Sequence, residues 1–374
     1  MYCRRVSVKD FRNIENADVE FCPGVNVLVG ENAQGKTNLL EAIFYASVGR
    51  SFRAANVSEM IGFDKKNAEI TVCYRREEKE RDDKLSIKLF TDKKKIVEKN
   101  NLRVDKMSEI AGSFRAVLFC PEHLSLIKDG PGERRNYLDI AISRISPKYI
   151  HSLQRYNYFM KQRNALIKTA YGNREMFDAT VDLWSEKMAE EAAFISSERL
   201  LFIRRVSALV EKYFAEMTGE REKTEMIYKS NCGLSDDELL DNEKVKARYI
   251  ELLSSNHDRE ISQGSTQYGI HKDDADIKIN GRSARIYSSQ GQQRSLALAM
   301  KLGEGEICRE EFGDYPVFLF DDVLSELDET RRDYMILHAT NKQVIISTCE
   351  SDFIKKMNAQ KRILVKDGTY TEIK

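Results

Sequence analysis

The octapeptide Gly30-Glu31-Asn32-Ala33-Gln34-Gly35-Lys36-Thr37 constrains this chain more than any other stretch. Its spacing, G-x-x-x-x-G-K-[ST], is that of a loop that wraps phosphate, provided that a strand enters it and a helix leaves it. The sequence predicts both. Val25-Asn26-Val27-Leu28-Val29 is a short β-branched run suited to a buried strand, and after Thr37 the apolar Leu39, Leu40, Ile43 and Phe44 recur at helical spacing. In such a loop Gly30 and Gly35 let the backbone turn and approach phosphate, Lys36 brings a point charge to the β and γ oxygens, and the Thr37 hydroxyl suits Mg²⁺.

The carboxylates that would complete the site lie near the other end of the chain. Pro316-Val317-Phe318-Leu319-Phe320 is a second apolar run and ends in Asp321-Asp322. A strand of this kind is buried on both faces of a parallel sheet, and its C-terminal end is where open α/β sheets bind ligands. Asp321 then suits Mg²⁺, sharing one metal with Thr37, while Asp322 is placed to orient or deprotonate an attacking water. The plainer alternative is a pair that opens a turn or caps a helix. Nearly the whole chain separates the two motifs, so a large segment is inserted between them.

Upstream of the acidic strand, Ser289-Gln290-Gly291-Gln292 opens a helical pattern running through Leu296, Leu298 and Leu302. A small polar loop at a helix start is either a second anion reader or an ordinary capping serine. One γ-phosphate does not easily require two readers from one subunit, so two subunits facing each other is the economical arrangement. Ser325-Glu326-Leu327-Asp328 follows the acidic pair directly, and Gln343 to Thr348 reads as another buried strand ending in hydroxyls.

In order and spacing these motifs resemble the ABC-type ATPases of the branch containing SMC and Rad50 proteins. More closely, the chain is similar to the RecF family of bacterial DNA-repair ATPases. The matching segments are FRNIENADVEF, FCPEHLSLIKDGPGERRNYLD, YGIHKDDADIKINGRSARIYSSQGQQRSLALAMKL and VFLFDDVLSELD, with Ile270 where that family usually has proline. The resemblance implies an ATP-binding, Mg²⁺-dependent head that dimerises on ATP, with Ser289, Gln290, Gly291 and Gln292 as the signature loop acting in trans. It implies Ser325, Glu326, Leu327 and Asp328 as the turn that communicates between sites, and Pro121 and Glu122 near the loop that senses Mg²⁺ and γ-phosphate. Arg12 and Asn13 are its candidates for adenine recognition. Transporters carry a histidine after the strand at Val344 to Ile346, where this chain has Ser347, Thr348 and Cys349, a departure that leaves the γ-phosphate sensor open. Asp322 stands where transporters carry glutamate, and the shorter acid implies slow hydrolysis. The biology implied is recombination mediation in DNA repair, replication and the SOS response. The protein would bind double-stranded and gapped DNA and act with RecO and RecR to help load RecA.

At 374 residues the chain is long enough for one large domain or two to three ordinary ones. Lys+Arg and Asp+Glu are both 60, so net charge points to no partner and any DNA contact must be local. Seven scattered cysteines without C-x-x-C spacing, no signal-peptide pattern and no apolar run near the roughly 20 residues of a membrane span predict a cytoplasmic protein with no membrane association. Between Ile145 and Leu253 the pattern turns helical, with Phe177, Val181, Trp184, Met188, Ala192 and Ile195 as a core stripe. About a hundred residues without a sustained heptad make a compact lobe, not the long arm of SMC proteins. The acidic stretch Cys232 to Glu243 reads as a solvated loop and helix start. Lys93-Lys94-Lys95 at a hairpin, and the pairs Arg134-Arg135, Arg204-Arg205 and Arg331-Arg332, read singly as solvated faces, some of which would meet DNA phosphates. His271 reads as a structural histidine.

The expectation is therefore an α/β fold: an ABC-type P-loop ATPase head built from both chain ends. Residues 1–144 would carry the phosphate loop and a β-rich lobe from about Asn56 to Leu118, 145–255 an inserted helical lobe, and 256–374 the signature loop and acidic strand. The competing readings are a P-loop kinase or metabolic ATPase acting on a small molecule, and a DNA clamp that never turns over ATP.

Overall fold

The computed structural model describes residues 1–78, 81–105, 107–338, 341–349 and 359–373. In chain order, β1 (Tyr2–Phe11), β2 (Ile14–Glu20) and β3 (Val25–Val29) lead to the helix Lys36–Val48. Then come β4 (Asn67–Arg75), β5 (Asp83–Phe90), β6 (Ile96–Lys99), β7 (Leu102–Val104) and β8 (Ala116–Phe119). β9 (Thr224–Lys229), β10 (Asp274–Ile279) and β11 (Arg282–Ser283) follow the long helices of the middle region. The helix Gln290–Phe312 precedes β12 (Val317–Asp321), β13 (Val344–Thr348), β14 (Lys361–Lys366) and β15 (Thr369–Ile373).

Two compact units result. The first joins Met1–Ser125, Leu209–Lys223 and Ser288–Lys374, and the second joins Leu126–Ala208 and Thr224–Tyr287. In the first unit one sheet has the order β15-β14-β3-β13-β12-β8, parallel except for the edge strand β15. Every residue of β12 and β13 is buried, as apolar runs covered on both faces should be. The register aligns Phe320 with Ile346 and Ile346 with Val27, so β3, β12 and β13 end together and bring Val29, Asp321 and Thr348 to one edge. The other sheet, β2-β1-β4-β5-β6-β7, is antiparallel. Strict alternation of buried and half-exposed residues along β4 and β5 gives it one core face.

The second unit is not purely helical. It holds the helices Pro131–Ile145, Pro147–Thr169, Asn242–Ser254 and His257–Gln263 and most of Arg174–Thr218, but also a sheet of order β11-β10-β9. β9 pairs with β10, some fifty residues on, and this pairing gathers segments that the helical periodicity of 145–255 does not reveal. Phe177, Val181, Met188, Ala192 and Ile195 are buried as the stripe requires, and Phe177 and Val181 pack with Ile167, Ala170 and Ile261. Asp241 caps the helix that ends the acidic stretch, accepting from the amides of Glu243 and Lys244.

Several basic residues read as solvated are instead committed. Arg134 is buried and pairs with Asp274, while Arg135 donates to the Asp273 carbonyl at 2.7 Å. Lys95 turns inward to the Tyr45 hydroxyl and Gly49 carbonyl, and burial, with the Arg50 charge adding, lowers its pKa to about 8. Arg331 donates to Ser295 at 2.6 Å and to Asp328, and Arg332 to the Leu327 carbonyl. His271 is held between the Tyr156 hydroxyl at Nδ1 and the Thr266 carbonyl at Nε2, and burial lowers its pKa to about 4, so it is a neutral structural histidine.

The interior of the second unit carries an ion pair at full burial. Arg163 donates to Glu260 at 2.6 Å, to Ser185 at 2.9 Å and to Thr266 at 3.0 Å, and both charged side chains are 0% exposed. Removing one partner of such a pair strands the other charge in a medium that solvates it poorly. Arg163→Met should lower unfolding free energy by about 3–5 kcal/mol in urea titrations. The double variant Arg163→Met/Glu260→Leu should recover most of that loss.

Candidate functional site

The phosphate loop leaves the end of β3 and turns with Ala33 at φ 65° and Gly35 at φ 112°. A side chain at Gly35 would be strained by that φ and would crowd the Tyr370 hydroxyl at 3.1 Å. Gly30 has a further reason beside the one its motif suggests. A Cβ there would lie 2.2 Å from the Val365 carbonyl oxygen, so this glycine admits the neighbouring strand β14. The buried Lys36 folds back, its Nζ donating to the carbonyls of Gly30 at 2.6 Å and Glu31 at 2.8 Å and approaching Cys349 Sγ at 3.3 Å. Asn32 Oδ1 accepts from the Cys349 thiol at 2.9 Å.

At the ends of β12 and β13, Asp321 Oδ1 accepts from Thr37 Oγ1 at 2.8 Å and from Ser347 Oγ at 2.7 Å. Residues 284 positions apart in sequence thus meet in one hydrogen bond. Asp321 is 5% exposed, and burial pushes its pKa up against the lowering effect of the two hydroxyls, with the Glu122 and Asp322 charges adding to the rise. A hydroxyl and a carboxylate oxygen side by side are hard donors of the kind that hold Mg²⁺ together with substrate phosphates and water. The set therefore fits the ion expected from sequence.

Asp322 lies in the left-handed region at φ 50°, at a cost of about 1 kcal/mol for a non-glycine residue. Its amide donates to Ser347 Oγ at 3.0 Å, and its carbonyl accepts from Ser325 Oγ at 3.0 Å. Pro121 and Glu122 form the single turn Pro121–Leu124 after β8, which pairs with β12 in parallel, so Glu122 lies close enough for Asp321 to feel its charge.

Ser289 caps the helix Gln290–Phe312 in a complete capping box: Ser289 Oγ accepts from the Gln292 amide, and Gln292 Oε1 accepts from the Ser289 amide at 2.7 Å. The capping-serine reading is thus correct as local structure. It does not compete with anion reading, because the first-turn amides of Gln290 and Gly291 still stand at the positive end of the helix dipole. Ser289 and Gln290 are exposed. One ion pair and one hydrogen-bonded bridge tie this helix to the Ser325–Asp328 turn: Arg294 holds Glu326 at 2.5 Å, and Arg331, paired with Asp328, donates to Ser295. Leu327 is buried and anchors the turn.

The Arg12 guanidinium is committed to Glu41 in a two-pronged ion pair of 2.9 and 3.0 Å, and Glu41 is fully buried. Asn13 touches the phosphate loop, donating to the Ala33 carbonyl at 3.2 Å. Thr348 is buried at the end of β13, and the residue that meets Lys36 is Cys349. Ser347, Cys349, the tie of the loop residue Gln34 to Asp367, and Tyr370 are the contacts that sequence reasoning did not assign. Gln34 Oε1 accepts from the Asp367 amide at 2.6 Å, and the Tyr370 hydroxyl donates to the Gly35 carbonyl at 2.9 Å. The signal for Ser347 was a strand ending in hydroxyls; none marked the last two, because they depend on the register of β14.

Comparison with known proteins agrees with this fold. The RecF/RecN/SMC N terminal domain family matches residues 2–372. The DNA replication and repair protein RecF of Alkaliphilus oremlandii (strain OhILAs) is 35% identical over 362 residues, 97% of each chain. Two solved structures of the recombination mediator protein RecF in the RecFOR pathway, RecF-ATPrS and RecF-ATP, superpose with TM-scores of 0.92 and 0.89. Both are 34% identical, cover 100% of this chain, and are themselves covered over 98% and 99%.

The raised pKa of Asp321 carries a sign. The folded chain binds this proton more tightly than the unfolded chain, so stability is lost as pH rises from the ordinary carboxylate range through the folded pKa. At pH 7 the ionised group therefore destabilises the nucleotide-free protein. Asp321→Asn should raise unfolding free energy by roughly 1 kcal/mol at pH 7, with the gain shrinking toward acid pH, while removing Mg²⁺-dependent nucleotide binding. Denaturant titrations at several pH values and nucleotide titration with and without Mg²⁺ check both halves.

Proposed function

The chain belongs to the RecF family of DNA replication and repair proteins, and on that premise we propose that it is an ATP-controlled, DNA-binding recombination mediator. The observation that carries the reading is the meeting of Thr37, Asp321 and Ser347 at one sheet edge beside Lys36, a phosphate and cation pole built from both chain ends.

ATP is the nucleotide the loop Gly30–Thr37 takes, as in the RecF-ATP structure. The Lys36 ammonium exchanges the carbonyls of Gly30 and Glu31 for phosphate oxygens, which are charged and so the stronger acceptors. Thr37 and Asp321 would hold Mg²⁺, which supplies neutralisation of phosphate charge. Asp322 orients or deprotonates the attacking water, and its reach, shorter than that of glutamate, makes hydrolysis slow. Completion of the site falls to a second copy, whose Ser289–Gln292 loop presents its helix N-terminus to the γ-phosphate. Arg294 and Arg331 couple that helix to the Ser325–Asp328 turn, so closure at one site is felt at the other. ATP thus acts as a switch: binding closes two heads on double-stranded DNA near single-strand gaps, and slow hydrolysis releases them.

The proposal extends to cooperation with RecO and RecR, which the RecFOR pathway of the solved relatives supports, and to indirect delivery of RecA and a cytoplasmic location. Among the described residues no helix is long and apolar enough to cross a membrane.

Retention on gapped duplex DNA tests the reading. The wild type should be retained with ATP and Mg²⁺ and released as ATP is consumed. Lys36→Ala should lose ATP-dependent retention, and Asp322→Asn should stay bound at least about tenfold longer. Equal residence times for wild type and Asp322→Asn would contradict a hydrolytic timer. Transfer of the γ-phosphate to a small molecule would replace the whole account with a kinase.

A further inference from the structure

The phosphate loop binds anions through its amides, so what matters is which way each peptide faces. In a trans peptide the carbonyl of one residue and the N–H of the next point in opposite directions. A carbonyl tied to a donor outside the loop therefore fixes the following amide toward the inside. Lys36 belongs to the loop and takes the carbonyls of Gly30 and Glu31 from within it, whereas Asn13, outside the loop, takes that of Ala33. The Gln34 carbonyl accepts from the Gly368 amide at 3.0 Å, and the Gly35 carbonyl accepts from the Tyr370 hydroxyl at 2.9 Å. A third tie to the same hairpin runs from the Asp367 amide to Gln34 Oε1 at 2.6 Å.

We infer that the hairpin β14–β15 is the positioning element of the phosphate loop, with Gly368 and Tyr370 orienting the amides of Gly35 and Lys36 toward the nucleotide's phosphates. The placement follows from the sheet. β14 runs parallel beside β3 with Leu364 opposite Val29, so the turn Asp367-Gly368 reaches the loop that β3 releases. Gly368 sits at φ 71°, and a Cβ there would lie 2.9 Å from the Asn13 carbonyl, so the turn closes on the loop only with glycine. Burial pushes the Tyr370 phenol well above its ordinary pKa, which keeps it a donor. Tyr370 touches no reacting atom and is a positioning residue. In the nucleotide-free protein Lys36 draws on its own loop's carbonyls, so the hairpin holds the Gln34 carbonyl and shares the Gly35 carbonyl with the Leu39 amide, which donates to it at 3.0 Å.

The inference rests on the reading that the loop binds ATP, and the test separates the two. ATP affinity and steady-state turnover are measured for wild type, Tyr370→Phe and Gly368→Ala, with melting of each protein without nucleotide. Tyr370→Phe removes one hydroxyl and should raise Kd and KM for ATP about fivefold, with kcat falling less than about twofold and melting nearly unmoved. Gly368→Ala should weaken ATP by more, since it displaces the turn that carries both donors. An unchanged Kd in Tyr370→Phe, or a fall in kcat without a rise in KM, would overturn the hairpin's role. Wild type that bound no ATP would overturn the functional reading on which it stands.

Discussion

The hydrogen bond from Thr37 to Asp321, shared with Ser347, is the point on which this molecule turns. It exists because β3, β13 and β12 are adjacent, parallel and in a register that ends them together. The parallel arrangement requires long crossovers, and those crossovers contain strands β4–β7 of the antiparallel sheet and the second unit. A carboxylate buried at this edge is costly to hold ionised without a cation. That cost is a reason for the site to bind: a cation placed there relieves a burden that the fold otherwise carries alone. Asp322 adds a second strain, a left-handed backbone next to the same carboxylate.

The other half of the proposed chemistry is exposed. Ser289 satisfies its own helix and leaves the first-turn amides of that helix facing outward, while Arg294 and Arg331 connect it to the turn after Asp322. A donor set on the surface and a phosphate loop that is ordered by its own neighbours are complementary parts. In the proposed reading a second copy of the chain joins them, and ATP is the ligand whose phosphates both would share.

Much of this was legible in the residues. The loop Gly30–Thr37 declared its flanking strand and helix because its spacing has one well-known physical use, and Asp321-Asp322 declared itself by ending an apolar run. Ser289 was legible as a cap for the same reason that caps in general are: a hydroxyl before a helical pattern. What stayed hidden depends on long-range register. Tyr370 and Gly368 reach the phosphate loop only because β14 lies beside β3, and Cys349 meets Lys36 only because β13 lies on the other side. β9 was hidden because its partner β10 lies outside the helical stretch. Arg134, Lys95 and Arg331 looked solvated because a basic residue carries no mark of the partner that folding gives it. The motif also gave no sign that Gly30 admits the neighbouring strand β14.

The central claim is that one chain's phosphate loop is completed by another chain's Ser289 loop. The mass of the protein in solution, measured without nucleotide, with ADP, and with ATP plus Mg²⁺, tests it most directly when wild type and Ser289→Arg are compared. The account predicts a dimer in ATP plus Mg²⁺ for wild type alone, with Ser289→Arg still binding ATP as a monomer. A wild type that stays monomeric with ATP, or a Ser289→Arg variant that dimerises normally, would contradict it.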